Sequence, residues 1–194
     1  ARLGRIGADF RFLQNAISVH REQAGILKQS FCRAMAQELA EYLKLVAFLE
    51  STPAVSLKQI VFWFHEAGLL LSVLRELVQA TEHLRGGALL SFLESHRLHG
   101  NERVKTVLSR LLDQMLIPFA EMLGDWLADG SLNDGFGEFF VARVDSRPLG
   151  GFDWDSPVDA SAFWNKLYSL RPAELPAFIP EDLAKRALTA GKTC

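Results

Sequence analysis

Apolar residues recur at steps of three and four along most of this chain, and proline or glycine interrupts them only at wide intervals. The first stripe comprises Leu3, Ile6, Phe10, Leu13 and Ile17. This spacing puts apolar side chains on one face of an α-helix and does not match the alternation of a β-strand. Because 49% of the 194 residues are hydrophobic, the chain can bury a sizeable core. We therefore expect an all-α fold.

The interruptions divide the chain into successive helices. The predicted spans are 3–17, 22–50, 56–84, 88–98, 102–128 and, after Pro180, 181–190. Ser56 and Gln59 have the spacing of a capping box, and Asn101 can cap the helix that follows it. Pro118 is expected to kink that helix, and Gly130 to end it as a C-cap glycine.

The third predicted helix is apolar around much of its circumference from Ile60 to Val73, which is typical of a helix at the centre of a bundle. His65 and Glu66 interrupt this apolar run, which ends near Leu74. We expect it to be too short and too polar to span a bilayer. The net charge of -2 and pI of about 6.2 also argue against nucleic acid and anionic membranes as partners.

The carboxy-terminal third has a different pattern. Residues 139–144 could be extended, so we expect at most a short extended segment there. Residues 145–159 hold two prolines and four aspartates and predict a solvated loop. A short helix is predicted over 160–170, and Gly191 is expected to end the last helix.

The least regular stretch is DGSLNDGFGEFFV, residues 129–141. A calcium loop needs a glycine at its sixth position and a glutamate at its twelfth. Counting from Asp129 or from Gly130 as the first position does not give both. A phosphate loop would follow a strand, whereas this stretch follows a helix. We interpret it as a corner in which Phe139 and Phe140 plug back into the bundle, above a buried Trp126.

Other reactive residues do not converge on a site. His96 and His99 lack a third ligand, and His65-Glu66 lacks the second histidine of a zinc-protease motif. Cys32 has the pattern of a buried helical thiol, and so few cysteines fit a reducing compartment. We therefore predict no cofactor, no metal and no enzymatic activity.

The order of the motifs carries a resemblance. The segments that carry it are GGALLSFL from Gly86, HGNE from His99, WLADGSLND from Trp126, EFFV from Glu138, YSLR from Tyr168, LPAFI from Leu175 and LTAGK from Leu188. This succession resembles the amino-terminal half of the gamma-tubulin complex protein family, the Spc97/Spc98-like proteins. It covers nearly the whole chain, and its compactness suggests one of the shorter members.

The resemblance implies a set of structural signature positions. They are Gly86, Gly87, Pro118, Trp126, Gly130, Asp134, Glu138, Phe139, Phe140, Trp164, Pro176, Gly191 and Lys192. The family usually has a proline followed by an aromatic after the aspartate matched by Asp134, and here Gly135 and Phe136 stand there. None of these positions is catalytic, metal-binding or cofactor-binding in this reading.

The resemblance also implies a function. Such proteins are elongated stacks of helical bundles whose amino-terminal halves make lateral contacts with other gamma-tubulin complex proteins, in a ring that templates microtubule nucleation. Gamma-tubulin would bind through a carboxy-terminal half that is absent here. The implied location is the cytoskeleton, at a microtubule organizing center such as the centrosome or spindle pole body.

In this interpretation the chain is a fragment of a longer protein. Residues 1–130 would form the main bundle, and 131–194 the corner, the acidic loop and the start of the next bundle. The outer faces of the helices over 22–50 and 60–84 carry more apolar surface than one core needs, and we expect one of them to be the lateral contact. A rod subunit of a vesicle-tethering complex and an all-helical enzyme remain as alternatives.

Overall fold

The structure is a computed structural model that describes residues 2–23, 25–144 and 167–193. These ranges contain six α-helices and one two-stranded sheet. The elements are α1 (Arg2–Gln23), α2 (Ile26–Ser51), α3 (Leu57–Ala80), α4 (Gly86–His96), α5 (Glu102–Asp129), β1 (Val141–Arg143), β2 (Tyr168–Leu170) and α6 (Glu181–Thr193). A 3-10 turn, Pro172–Glu174, follows β2. The predicted all-α class is confirmed.

The helix ends follow the capping residues in the sequence. The Ser56 side chain accepts from the main-chain N–H of Gln59, whose side chain accepts from the Ser56 N–H in return. The Asn101 side chain accepts from the first amides of α5, and Gly130 ends α5 in the left-handed conformation with φ 62°. These three signals were predicted correctly because they act within one turn of the chain.

Several predicted boundaries are wrong, among them the end of the third helix, which the structure places at Ala80 rather than at residue 84. Gly86 and Gly87 do not separate two helices but form the first turn of α4. The second helix begins at Ile26 rather than at residue 22, because α1 continues to Gln23. Gly25 is the N-cap of α2, and it has no side chain with which to cap.

The helices interlock around one core. α1 packs against both α2 and α3, α2 packs along α5, and α4 and α6 lie on α5. The core includes Leu13 of α1, Met35 of α2, Leu74 of α3, Leu93 of α4 and Leu111 of α5, all at most 1% exposed. α5 therefore forms the spine of the bundle, and it continues without interruption through the buried Pro118.

α3 is not central, contrary to the sequence prediction. Its buried residues begin only at Ala67 and continue to Val78, where it packs against α1. The first ten residues are intermediate or exposed, and α3 has few contacts with α2 and α5. A circumference rich in apolar residues fits a surface that meets another protein as well as it fits a core.

The short extended segment near 139–144 is confirmed as β1. Its partner is β2, which pairs antiparallel with Val141 opposite Leu170. The helix predicted to reach residue 170 is therefore wrong over 168–170, because pairing with β1 overrides the local helical pattern. Trp164 and the acidic loop 145–159 lie outside the described residues. The division into 1–130 and 131–194, and any stacking of bundles, stay predictions.

The core packing can be tested with the same change at two leucines near the end of α4. Leu93 is fully buried, whereas Leu98 is 87% exposed. We expect Leu93→Ala to lower the free energy of unfolding by about 2–5 kcal/mol through lost burial and a cavity. Leu98→Ala should change it by less than about 0.5 kcal/mol. Denaturant unfolding measures both, and equal losses would contradict this assignment of the core.

Candidate functional site: the corner and the exposed α3 face

The corner, defined here as residues 131–144, is held together by Asp134. Its two carboxylate oxygens accept from the main-chain N–H groups of Glu138 and Phe139, both at 2.9 Å. The Arg171 guanidinium lies 3.9 Å from the same carboxylate. Gly137 takes a left-handed φ of 70°, which lets the chain reverse inside this loop. The acidic side chain is thus used for the turn itself.

Glu138 replaces the cap that α2 lacks. Its carboxylate is buried and accepts from the Leu27 N–H at 2.8 Å and from the Lys28 N–H. Carboxylates are favourable at a helix amino terminus because the N–H groups there are unsatisfied and carry partial positive charge. Burial raises the pKa of Glu138, although these two amides act in the opposite direction. One side chain of the corner therefore completes α2, although Leu27 and Glu138 are 111 residues apart in the chain.

A buried lysine accompanies this cap. The Lys28 Nζ donates to the main-chain carbonyl of Thr81, just after α3. Burial lowers the pKa of Lys28, while nearby Glu138 and Glu82 raise it. The amino end of α2 is thus tied both to the corner and to the end of α3.

Phe139 and Phe140 plug into the bundle as the sequence predicted. Both are at most 1% exposed, and their rings lie 4.3 Å apart. The Phe119 ring of α5 lies 5.8 Å from Phe139 and 6.2 Å from Phe140. This aromatic cluster anchors the corner to the spine helix about three turns before the end of that helix.

Trp126 holds α6 on α5. Its Nε1 donates to the Ala187 carbonyl at 2.9 Å, and its ring meets Tyr168 edge to face at 4.9 Å. Gly191 does not end the last helix as predicted, because α6 continues to Thr193. It lies against the indole instead, where an added Cβ would come within 2.2 Å of the ring.

The remaining signature residues fall into two groups. Gly86, with φ 47°, and Gly87 lie against the Glu138 carbonyl and the main chain of Glu174, and Pro176 is buried beside Gly87. Lys192 lies in the last turn of α6, and Pro118 inside α5, where the predicted kink stays a prediction. Most described signature positions therefore converge on contacts between the corner, α6 and the bundle.

Sequence reasoning missed three residues of this arrangement. Gly25 and Glu174 were not identified, nor was Asp9, which is 1% exposed and bonds Arg75 at 2.6 Å. The sequence did contain a signal that Gly25 needs a partner. The sequence QAGIL before α2 offers no Ser, Thr, Asp or Asn as a cap, so a cap had to come from elsewhere in the chain.

No described residues form a metal site. Within 2–23, 25–144 and 167–193, no three His, Cys, Asp or Glu side chains are placed to hold a metal ion. His96 and His99 serve local structure, because one contacts the Phe92 carbonyl and the other accepts from the Asn101 N–H.

A second feature is an exposed apolar surface on the first half of α3. The α3 face, as we call it, consists of Leu57, Val61, Phe62, Trp63 and Leu69. Phe62 is 74% exposed and Trp63 is 48% exposed. A groove of about 480 Å³ separates this face from Leu45 of α2 and Arg103 of α5. A cluster of exposed large apolar side chains is typical of a surface that meets another molecule.

In length and composition α3 could also cross a membrane. Among the described residues it is the one helix that is long and apolar enough to do so, and 22% of its most apolar 18 residues are buried. Our expectation that the run is too short to span a bilayer was wrong, because it counted fifteen residues of a 24-residue helix.

These features are those of a helical structural protein with an interaction surface. The Gamma tubulin complex component N-terminal family matches residues 1–194. The chain belongs to this family.

Individual relatives agree with the family match. Gamma-tubulin complex component 3 of Arabidopsis thaliana is 34% identical over 187 residues, which is 89% of this chain and 21% of the relative. Gamma-tubulin complex component 3 of Homo sapiens is 27% identical over 212 residues, 99% of this chain and 22% of the relative. Spindle pole body component SPC98 of Saccharomyces cerevisiae is 27% identical over 168 residues, which is 86% of this chain and 19% of the relative.

The chain thus spans about a fifth of the length of these relatives. The idea of a shorter family member gains no support from them.

The close approach of Glu138 to Gly25 gives a testable prediction. Gly25 has φ -66°, which alanine adopts readily, but an added Cβ would lie 2.1 Å from the Glu138 carboxyl carbon. We expect Gly25→Ala to lower the free energy of unfolding by about 1–3 kcal/mol through overpacking. The measurement is denaturant unfolding.

Gly7→Ala is the matched control. Gly7 lies inside α1 with nothing within 4 Å of the added Cβ. Alanine is favoured over glycine in a helix, so this variant should be more stable by up to about 1 kcal/mol. If both variants are stabilised, Glu138 does not fill the space in front of Gly25.

Proposed function

We propose that this chain is the amino-terminal part of a structural subunit of the gamma-tubulin ring complex. It makes side-to-side contacts with other gamma-tubulin complex proteins, and these contacts set the template for microtubule nucleation. Gamma-tubulin binds through the carboxy-terminal part of the longer protein. The site of action is a microtubule organizing center, the centrosome or spindle pole body, and the chain catalyses no reaction.

The α3 face is the observation that carries this proposal. Aromatic side chains bury about 150–250 Å² each, so Phe62 and Trp63 alone expose on the order of 250 Å². That is about a third of the roughly 800 Å² that each partner contributes to a standard protein interface. Leu57, Val61 and Leu69 extend the same surface. The face is large enough to form the centre of one contact between subunits.

A contact that sets an angle must also be rigid, and the α1–α3 pair supports the face. The Asp9 carboxylate is buried between these helices and accepts from Arg75 at 2.6 Å and from the Ser72 hydroxyl at 3.2 Å. Such a charge-assisted network has one good geometry, so it fixes how α3 lies on α1. The orientation of the α3 face relative to the core is thereby determined.

The family match favours this function over a vesicle-tethering rod. Relatives that the chain matches carry the names gamma-tubulin complex component and spindle pole body component. Helical composition alone would not distinguish the two kinds of assembly.

Charge substitutions on the α3 face test the lateral contact. We expect Phe62→Glu with Trp63→Glu to weaken co-sedimentation with other gamma-tubulin complex proteins at least tenfold, because truncating or charging a central anchor typically costs more than about 1.4 kcal/mol. The thermal unfolding midpoint should change little, because Phe62 is mostly exposed and Trp63 is about half exposed. Sedimentation velocity of the mixed subunits is the measurement.

Leu183→Glu is the control, because Leu183 is also exposed but lies on α6, which packs against α5 and β2. It should co-sediment like the unsubstituted protein. Undiminished assembly of the double variant would rule out this face as the lateral contact.

A further inference from the structure

Glu174 is an acidic residue that neither the corner nor the α3 face accounts for. It ends the 3-10 turn Pro172–Glu174, and its carboxyl group lies over the first turn of α4. The Gly87 main-chain N–H interacts with the carboxyl group and lowers its pKa. The oxygen Oε2 is buried and has no hydrogen-bond partner among the described residues. A buried oxygen without a partner is costly unless its chemistry differs from that of a plain carboxylate.

The position of Oε2 shows what it faces. A Cβ added to Gly86 would lie 2.2 Å from Oε2 and 2.4 Å from the main-chain oxygen of Glu138. The two oxygens therefore border the same small space, which exists because residue 86 has no side chain. Both are acceptors when the carboxyl group is ionised, and two buried acceptors repel each other. A proton on Oε2 would turn this repulsion into a hydrogen bond.

The surroundings of Glu174 favour the protonated form. Burial raises its pKa, and Asp134 contributes in the same direction, whereas the Gly87 N–H, Arg171 and Arg85 lower it. A neutral carboxylic acid that donates a hydrogen bond in an apolar site is an established arrangement in proteins. Burial is the largest of these effects, and the pKa of Glu174 is raised as a result.

We propose that Glu174 carries a proton on Oε2 in the folded protein and donates it in a hydrogen bond to the main-chain carbonyl of Glu138. This contact, the Glu174 latch, joins the 3-10 turn, the corner and α4. When the proton leaves to solvent, the carboxylate faces the carbonyl oxygen and the latch opens. Because the Glu138 side chain caps α2, the latch also links the amino ends of α2 and α4.

The groups around the latch define its pH dependence. Lys28 of α2, Glu82 and Arg85 before α4, Asp134 of the corner, and Arg171 after β2 surround the two glutamates. His20 of α1 lines a pocket together with Lys28, Arg85 and Glu138. A raised pKa in the folded state means that the native chain binds more protons than the unfolded chain between the two pKa values. The latch therefore stabilises the fold below the ordinary pKa of a glutamate, and this stability falls as pH rises through the raised value.

Two variants separate a protonated acid from a carboxylate. In Glu174→Gln, the amide oxygen can accept from Gly87 and the NH2 group can donate to the Glu138 carbonyl, so this variant copies the protonated state at every pH. Glu174→Ala removes both hydrogen bonds. Glu102→Gln, at the exposed start of α5, is the control for a lost surface charge.

The first measurement is the side-chain carboxyl ¹³C shift of Glu174 in the intact protein between about pH 4 and pH 8, where glutamates with raised pKa values titrate. We expect Glu174 to titrate above the ordinary glutamate range. Titration within or below that range would overturn the proposal.

The second measurement is hydrogen exchange over residues 167–179, corrected for the intrinsic pH effect on exchange. The unsubstituted protein should exchange at least threefold faster at the high end of the range than at the low end. Glu174→Gln should stay slow throughout, Glu174→Ala should be fast throughout, and Glu102→Gln should follow the unsubstituted protein. Fast exchange of Glu174→Gln at every pH would show that the contact needs a carboxylate, and would refute the latch. Neither measurement depends on which partner covers the α3 face.

Discussion

The Glu138 carboxylate at the amino end of α2 is the contact on which the rest of the architecture depends. It satisfies two main-chain amides that Gly25 cannot cap, and it does so from the loop that follows α5 in the chain. Its position requires Asp134 to close the corner and the two phenylalanines to anchor it. The helix start and the corner therefore form together, because each lacks a polar partner without the other. The hydrogen bonds of Asp134 and the aromatic contacts thus hold an irregular loop against the bundle.

The two halves of α3 combine a buried and an exposed apolar surface in one helix. Its second half is buried against α1 and joined to it through Asp9 and Arg75. Its first half projects apolar side chains that the described part of the chain leaves uncovered. The buried half fixes the direction in which the exposed half points. In the assembly proposed above, this coupling would be the physical basis of a defined angle between subunits.

Much of the fold was predictable where the determining interactions are local. The capping box at Ser56, the cap at Asn101 and the glycine at 130 each act within one helical turn, and the structure contains all three. Trp126 and Phe139 were predicted to be buried because an aromatic residue at the end of a long apolar stripe is most often part of the core. The wrong predictions concern positions whose conformation depends on a segment distant in the chain. β2 pairs with β1, Gly191 lies against the Trp126 indole, and Gly86 leaves room for two glutamates.

The sequence by itself determined the helical class, the main helices and the residues that turn the chain, because side-chain periodicity and capping are short-range properties. The order of its motifs also identified the family. Only the tertiary structure decided that α3 lies at the edge of the bundle and that its apolar first half stays exposed. It also decided that Glu138 caps α2, where it binds Leu27 across a separation of 111 residues. The physical reason is that burial and long-range hydrogen bonds depend on which segments meet in space. A pattern of apolar residues states that a surface needs covering, and the folded chain shows whether its own segments cover it.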